Sequence, residues 1–219
     1  TSSYSVTGVQ TCALPIFDVL TEVSGKKLDW DRLREVVALS DQACCLWDQI
    51  MSYRRYVPTP FSAAEIGVMF VMVTRQGTRI AVDFLNSFLE EVRTRAENGV
   101  GVIPEEKARL FWDNIPLWYN MGLFNYFERK GVVVAAETYS AAWSIRLDPD
   151  RPLEALALKS LWSYPMVSCL SMDRRKEMVL QACREYKLDG AVVHRNKHCA
   201  PITRGQMYID RPLETESGL

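Results

Sequence analysis

Apolar positions recur at two different periods along this chain, and the change of period divides it. From Leu28 to about Tyr56, the residues Trp30, Leu33, Val37, Cys44, Trp47 and Met51 fall three, four or seven apart. That is the stripe of a long amphipathic helix, with Asp29 placed as its N-cap. Val57-Pro58-Thr59-Pro60 ends it, because proline lacks an N–H and restricts the residue before it. Ser62-Ala63-Ala64-Glu65 has the spacing of a capping box and predicts a second helix, with Ile66 to Val73 as a buried segment. Thr78 to Ala96 predicts a third, with Val82, Leu85, Phe88, Leu89 and Val92 inward and Glu97-Asn98-Gly99 as its end.

From Lys107 the pattern becomes short apolar runs separated by helical stretches. Ala108 to Trp112, Val132 to Ala136 and Gly190 to His194 read as strands. Leu117 to Lys130 (with Gly131 as its cap), Pro152 to Leu161 and Arg174 to Lys187 read as helices. The fold class is therefore α/β: a helical connecting segment, then a doubly wound, mostly parallel, Rossmann-like sheet covered on both faces. In such a sheet the loops leaving the strands share one edge, where ligands bind. Those loops hold Asp113-Asn114-Ile115-Pro116, Glu137-Thr138-Tyr139 and His194 to Cys199. Cys199 stands where the third strand ends and a helix containing Pro201 begins, and that helix is expected to run on through Arg211. A helix N-terminus favours a thiolate. From the residues alone, a structural cysteine is the competing reading.

Composition narrows the field. With 219 residues, 48% of them hydrophobic, the chain can bury one substantial core. Formal charge is −1, and no basic patch is interleaved with aromatics, so nucleic acid is not an expected partner. Ile66 to Val73 is far too short to span a bilayer, so no membrane is expected either. The six cysteines lack CxxC spacing, which argues against a disulfide framework or zinc site and for a reducing cytoplasm. Cys44, Cys45, Cys169 and Cys183 fall on helical stretches and read as packing residues. No GxGxxG follows the first strand and no GxxxxGK[ST] occurs, against a plain nucleotide-binding module.

The ends read differently. Val6 to Ile16 matches, residue for residue, the in-frame translation of a sequencing-library adapter, so residues 1–16, Cys12 included, are set apart from the fold. A further strand would be expected straight after Ser217-Gly218, to bury the last helix. The expected organisation is an adapter-derived 1–16, a helical 17–106, and an incomplete α/β cluster- and substrate-binding domain over 107–219, with the sheet truncated at both ends.

Three segments carry a resemblance: Leu110-Phe-Trp-Asp-Asn-Ile-Pro-Leu-Trp-Tyr-Asn120; Gly131-Val-Val-Val-Ala-Ala-Glu-Thr-Tyr139; and Asp189-Gly-Ala-Val-Val-His-Arg-Asn-Lys-His-Cys199 with Gly205-Gln206 beyond it. Together with Gly25-Lys-Lys-Leu-Asp-Trp30 they resemble the 2-hydroxyacyl-CoA dehydratase D-component and benzoyl-CoA reductase family. The resemblance implies a subunit of an iron–sulfur (R)-2-hydroxyacyl-CoA dehydratase, whose [4Fe-4S] cluster is held by three cysteines with one iron open. Only Cys199 matches such a ligand, the last in chain order; the other two are expected in a preceding domain. One electron reaches the thioester from a separate ATP-hydrolysing iron–sulfur activator, water leaves, and the electron returns. ATP enters only through that activator, a flavin is left open, and the partners are a second homologous subunit and the acyl-CoA.

Around Cys199, the residues Asn114, Arg195, Asn196 and Lys197 are candidates for substrate contact, with His198 beside them. Glu137 and His194 are candidates for proton handling. The plainer alternatives are a solvated basic loop, a salt-bridged Glu137, and core packing for Trp112, Trp118 and Tyr119. A benzoyl-CoA reductase subunit, a double-cubane reductase subunit and a scaffold lacking a cluster remain the competing functions.

Overall fold

The computed structural model describes residues 15–143, 145–162, 172–203 and 205–218. Of the adapter-like segment, only Pro15 and Ile16 are therefore described; Cys12 and Cys169 lie outside the described residues.

Helix α1 (15–24) precedes α2 (Trp30–Ser52), whose N-cap is Asp29, its carboxylate accepting from the Arg32 N–H at 2.9 Å. The stripe is buried from Val37 onward, while Trp30 in the first turn stays 43% exposed. Both bonds of the Ser62 capping box form, at 3.1 Å each. They open a 3-10 stretch, Ala63–Val68, which passes into α3 (Met69–Arg75). The expectation of a segment buried throughout is corrected: Ile66, Met69 and Met72 are buried, whereas Phe70 and Val73 are about half exposed. Packing covers one face of this helix only. Helix α4 (Arg79–Glu97) starts at Thr78, whose hydroxyl caps Ala81, and its Leu85 and Val92 join Trp47, Ile50 and Phe61 in the helical core.

Three parallel strands, β1 (Ala108–Asp113), β2 (Val132–Glu137) and β3 (Gly190–Val193), form a small sheet in the order β2-β1-β3. The chain leaves β1 for one side and returns across it to the other, so strand order reverses beside β1. Both faces are covered, and helices outweigh the sheet. Phe111 and Ala136 pack with Val179 and Cys183; Trp112 and Val134 pack with Phe124 and Ala63. Leu110 pairs with Val134 but Phe111 with Ala136, so Ala135 is an extra residue, a bulge that keeps Glu137 opposite Trp112.

The helix expected from Leu117 begins five residues later, as α5 (Gly122–Glu128). Pro116 to Asn120 instead form turns, with the Asn120 N–H donating to Leu117 O at 2.7 Å. Gly131, at φ +82°, closes α5 against Lys107. Helices α6 (Pro152–Trp162) and α7 (Met172–Glu185) lie between β2 and β3 in sequence.

Past β3, the expected continuous helix is two: α8 (Ala200–Thr203) and α9 (Met207–Pro212), extended by a π-type turn over Leu213–Ser217. Gly205 makes the break at φ +79°, and a Cβ there would lie 1.9 Å from the Met172 sulfur. The helical and sheet parts are tied together. The Trp47 indole N–H donates to Ser140 O at 2.9 Å, and the buried Arg109 guanidinium donates to Arg54 O at 2.7 Å and to Tyr186 O at 3.0 Å.

Candidate functional site

The three strand-end loops meet where strand order reverses, and a single carboxylate binds them together. Asp113, at the end of β1, has no exposed surface. Its oxygens accept from Arg175 Nη2 on α7 at 2.8 and 3.0 Å, from Gln206 Nε2 at 2.8 Å and from the Thr138 hydroxyl at 3.2 Å. Thr138 in turn accepts from the Asn114 N–H at 2.9 Å, and Gln206 also donates to His194 O at 3.1 Å. A buried carboxylate costs several kcal/mol of lost hydration unless it is paired and hydrogen-bonded, so these donors must be held in place. One group thus fixes the loops after β1, β2 and β3 relative to one another.

The predicted residues divide around that hub. Cys199 is half-buried; its N–H and that of His198 donate to Asn196 Oδ1 at 3.1 and 2.8 Å. Asn196 therefore shapes the loop carrying the sulfur. Asn114 is buried at φ +84°, with its amide 3.4 Å from the Thr203 hydroxyl. Arg195 pairs with Asp210, and Lys197 is exposed. The His194 ring places Nδ1 2.8 Å from Ile115 O. A carbonyl only accepts, so Nδ1 carries the proton and Nε2 the lone pair of the neutral ring. Glu137 is buried on the Trp112 side of the sheet, 2.9 Å from Arg54 Nη1. Arg54 also donates to Ser62 O at 2.9 Å and lies 4.1 Å over the Phe61 ring. Trp112 is core, in edge contact with Phe124, whereas Trp118 and Tyr119 are exposed.

Tyr139 follows β2, and burial, then the neighbouring Cys199 sulfur when ionised, holds its phenol above the ordinary value. The four-residue α8 gives Cys199 far fewer aligned peptide dipoles than the long helix expected from sequence. Among the described residues, no three His, Cys, Asp or Glu side chains come together as a metal site. A cubane cluster takes several cysteine thiolates, and among the described residues this edge offers one. The residues present fit one corner of such a cluster and not the whole.

Asp113, Arg175, Gln206 and Tyr139 were not singled out by spacing. A signal for Arg175 existed: it occupies the buried stripe of α7 with Val179 and Cys183, where a charge demands a partner.

A family model described as 2-hydroxyglutaryl-CoA dehydratase, D-component, matches residues 15–219. The chain belongs to this family. It is 28% identical to the (R)-phenyllactyl-CoA dehydratase alpha subunit of Clostridium sporogenes, over 91% of this chain and 48% of that one. It is 30% identical to a benzoyl-CoA reductase subunit of Thauera aromatica, over 94% of this chain and 50% of that one. It is 24% identical to the alpha subunit of the (R)-2-hydroxyglutaryl-CoA dehydratase of Acidaminococcus fermentans, over 91% of this chain and 41% of that one. The dehydratase-family chain thus spans about half the length of the relatives it matches. No described helix is long and apolar enough to cross a membrane.

Proposed function

We propose that this chain is the strand-end half of a 2-hydroxyacyl-CoA dehydratase subunit. The complete enzyme eliminates water from an (R)-2-hydroxyacyl-CoA thioester by radical chemistry, after one-electron activation by a separate ATP-hydrolysing activator. It works in the cytoplasm with a second homologous subunit. The observation that carries this is the placement of Cys199: on the loop leaving β3, beside the strand-order reversal, with the β1 and β2 loops tied to it through Asp113. That is where open α/β sheets bind ligands.

In this reading Cys199 supplies one thiolate ligand of a [4Fe-4S] cluster, which takes several. When bound, the cluster supplies one-electron transfer at an open iron site. The chain's own residues do the rest. Asn196 shapes the Cys199 loop, and Asp113 with Arg175 and Gln206 locks the edge. His194 presents a basic Nε2, and Lys197 brings positive charge toward the thioester. A second reading, as part of a benzoyl-CoA reductase, is favoured by the 30% identity to a subunit of such an enzyme over 94% of the chain. It uses the same edge.

The test is anaerobic reconstitution of the complete enzyme with its partner subunit. Cys199→Ala should lose bound iron and sulfide together with dehydration of (R)-2-hydroxyacyl-CoA, and Cys183→Ala should keep both. Unchanged iron in the Cys199→Ala enzyme refutes the assignment. Reduction of benzoyl-CoA without any dehydration selects the second reading.

A further inference from the structure

The helical core grips the end of β2 on both sides of Thr138. Before it, Arg54 holds Glu137 at 2.9 Å and lies 4.1 Å over the Phe61 ring, which meets Trp47 edge to face at 6.2 Å. After it, the Trp47 indole N–H donates to Ser140 O at 2.9 Å, and the Cys44 thiol donates to Trp143 O at 3.3 Å. The Ser140 hydroxyl reaches the Met51 sulfur at 3.9 Å. Cys44, Trp47 and Met51 stand three and four residues apart, so one stripe of α2 faces the loop that leaves β2. Trp47 and Ser140 have no exposed surface, so no water can replace this donor at the Ser140 carbonyl. Between the two grips, the Thr138 hydroxyl donates to Asp113 and accepts from the Asn114 N–H.

We propose that Trp47 is a positioning residue for the reaction: its bond to Ser140 O sets where Thr138 meets Asp113, and through that hub the geometry of the three strand-end loops. The inference rests on the dehydratase reading above and goes beyond it by giving the helical core a part in turnover. Loops leaving strands are ordinarily more mobile than the strands themselves. This one is held at a carbonyl by a ring buried in one core cluster with Ile50, Phe61 and Leu85, where close packing leaves little room to shift. If Thr138 moves, the buried Asp113 carboxylate loses a donor and the Asn114 backbone loses its acceptor. Trp47 itself lies in the helical core, so it acts on the strand-end edge only through the loop.

The experiment measures backbone hydrogen exchange, and kcat and KM for (R)-phenyllactyl-CoA and (R)-2-hydroxyglutaryl-CoA, in the complete assembled enzyme. Trp47→Phe keeps a ring in the core but removes the N–H. Exchange across residues 139–143 should rise about tenfold, and kcat should fall at least about tenfold with KM within about twofold, since misplaced loops cost turnover more than binding. Cys44→Ala should move both readouts the same way by less, and Cys44→Ser, whose hydroxyl can donate to Trp143 O, should restore them. Ile50→Val loosens the same core but offers the loop no hydrogen bond to lose, and should match wild type in both readouts. An equal kcat fall in Ile50→Val, or faster exchange in Trp47→Phe at wild-type kcat, overturns the positioning role. So does unchanged exchange in Trp47→Phe. Should Trp47→Phe fail to assemble, the Cys44 variants decide, and a Cys44→Ala enzyme identical to wild type overturns the proposal. A wild type that dehydrates neither substrate, its loop exchanging as expected, overturns the reading beneath and this role with it.

Discussion

Replacing Asp113 by Asn isolates what holds the strand-end edge together. The side chain keeps its shape and one acceptor oxygen. The other oxygen becomes an NH2 group facing the donors of Arg175, Gln206 and Thr138, which stand 2.8–3.2 Å away in the wild type. Both members of the Asp113–Arg175 pair are essentially without exposed side-chain surface, 0% and 2%. Removing one partner of a buried pair costs about 3–5 kcal/mol, because the remaining charge stays dehydrated. For a domain of this size each kcal/mol moves Tm by about 2–4 °C, so the melting point should fall by roughly 6–20 °C. Urea titration of the chain should give a lower midpoint at an unchanged slope, marking lost stability rather than a changed unfolded state. Adding Arg175→Met should recover part of the loss, since the dehydrated charge is then gone. A loss below about 1 kcal/mol, the range of an exposed pair, would refute the claim that this carboxylate ties the loops.

Three further outcomes follow from other groups. Glu137→Gln should destabilise by about 3–5 kcal/mol, whereas the apolar pair Arg54→Met with Glu137→Leu should come close to wild type. A double variant as unstable as the single one would mean that the Arg54 contacts with Ser62 O and the Phe61 ring, rather than the ion pair, carry the stability. Burial, opposed by the Ser62 hydroxyl and reinforced by Glu65, pushes the Glu128 carboxyl up. The folded state then holds that proton more tightly than the unfolded one, so the destabilisation is absent in acid and grows as pH rises through the carboxylate range. Glu128→Gln, whose amide oxygen can still accept from Ser62, should melt higher than wild type at neutral pH and equal it below about pH 4; a gap that is constant with pH contradicts this. In brief alkylation of the native chain followed by peptide mass spectrometry, Cys45 and Cys199 should label before Cys44 and Cys183, which are buried. Early labelling of Cys183 would misplace the α7 face.

What could be read in the sequence was local chemistry. The caps at Asp29 and Ser62 are short-range: a side-chain oxygen meets an N–H two or three residues on, and spacing alone reveals it. Strands β2 and β3 were legible because valine runs beside turn residues have few alternatives, and β1 through its apolar Leu110, Phe111 and Trp112. Helix lengths were less so. Leu117, Met121 and Phe124 fall at helical spacing, but Pro116 and the left-handed Asn114 start the segment in turns. The Ala135 bulge leaves no sequence mark, since nothing about Ala135 requires it; the register belongs to the pairing. Arg175 and Gln206 stand 62 and 93 residues from Asp113, and such long-range polar pairing has no local period.

The same distinction decides what supports Cys199. A long helix running through Arg211 would have lent the sulfur its aligned dipoles; instead the helix stops at Thr203 and resumes at Met207 beyond the left-handed Gly205. With so short a turn, the sulfur's position depends on backbone anchoring. Asn196 Oδ1 takes the two N–H groups at and before Cys199, the Thr203 hydroxyl donates to Asn196 O at 2.7 Å, and Gln206 couples the far side of the break to Asp113. Gly205 is the hinge that lets Gln206 reach inward, and Met172 at the start of α7 fills the space a side chain would need. A sulfur mounted this way is positioned by hydrogen bonds that run from its own loop to the buried Asp113, the rigid mounting that the proposed ligand role of Cys199 requires.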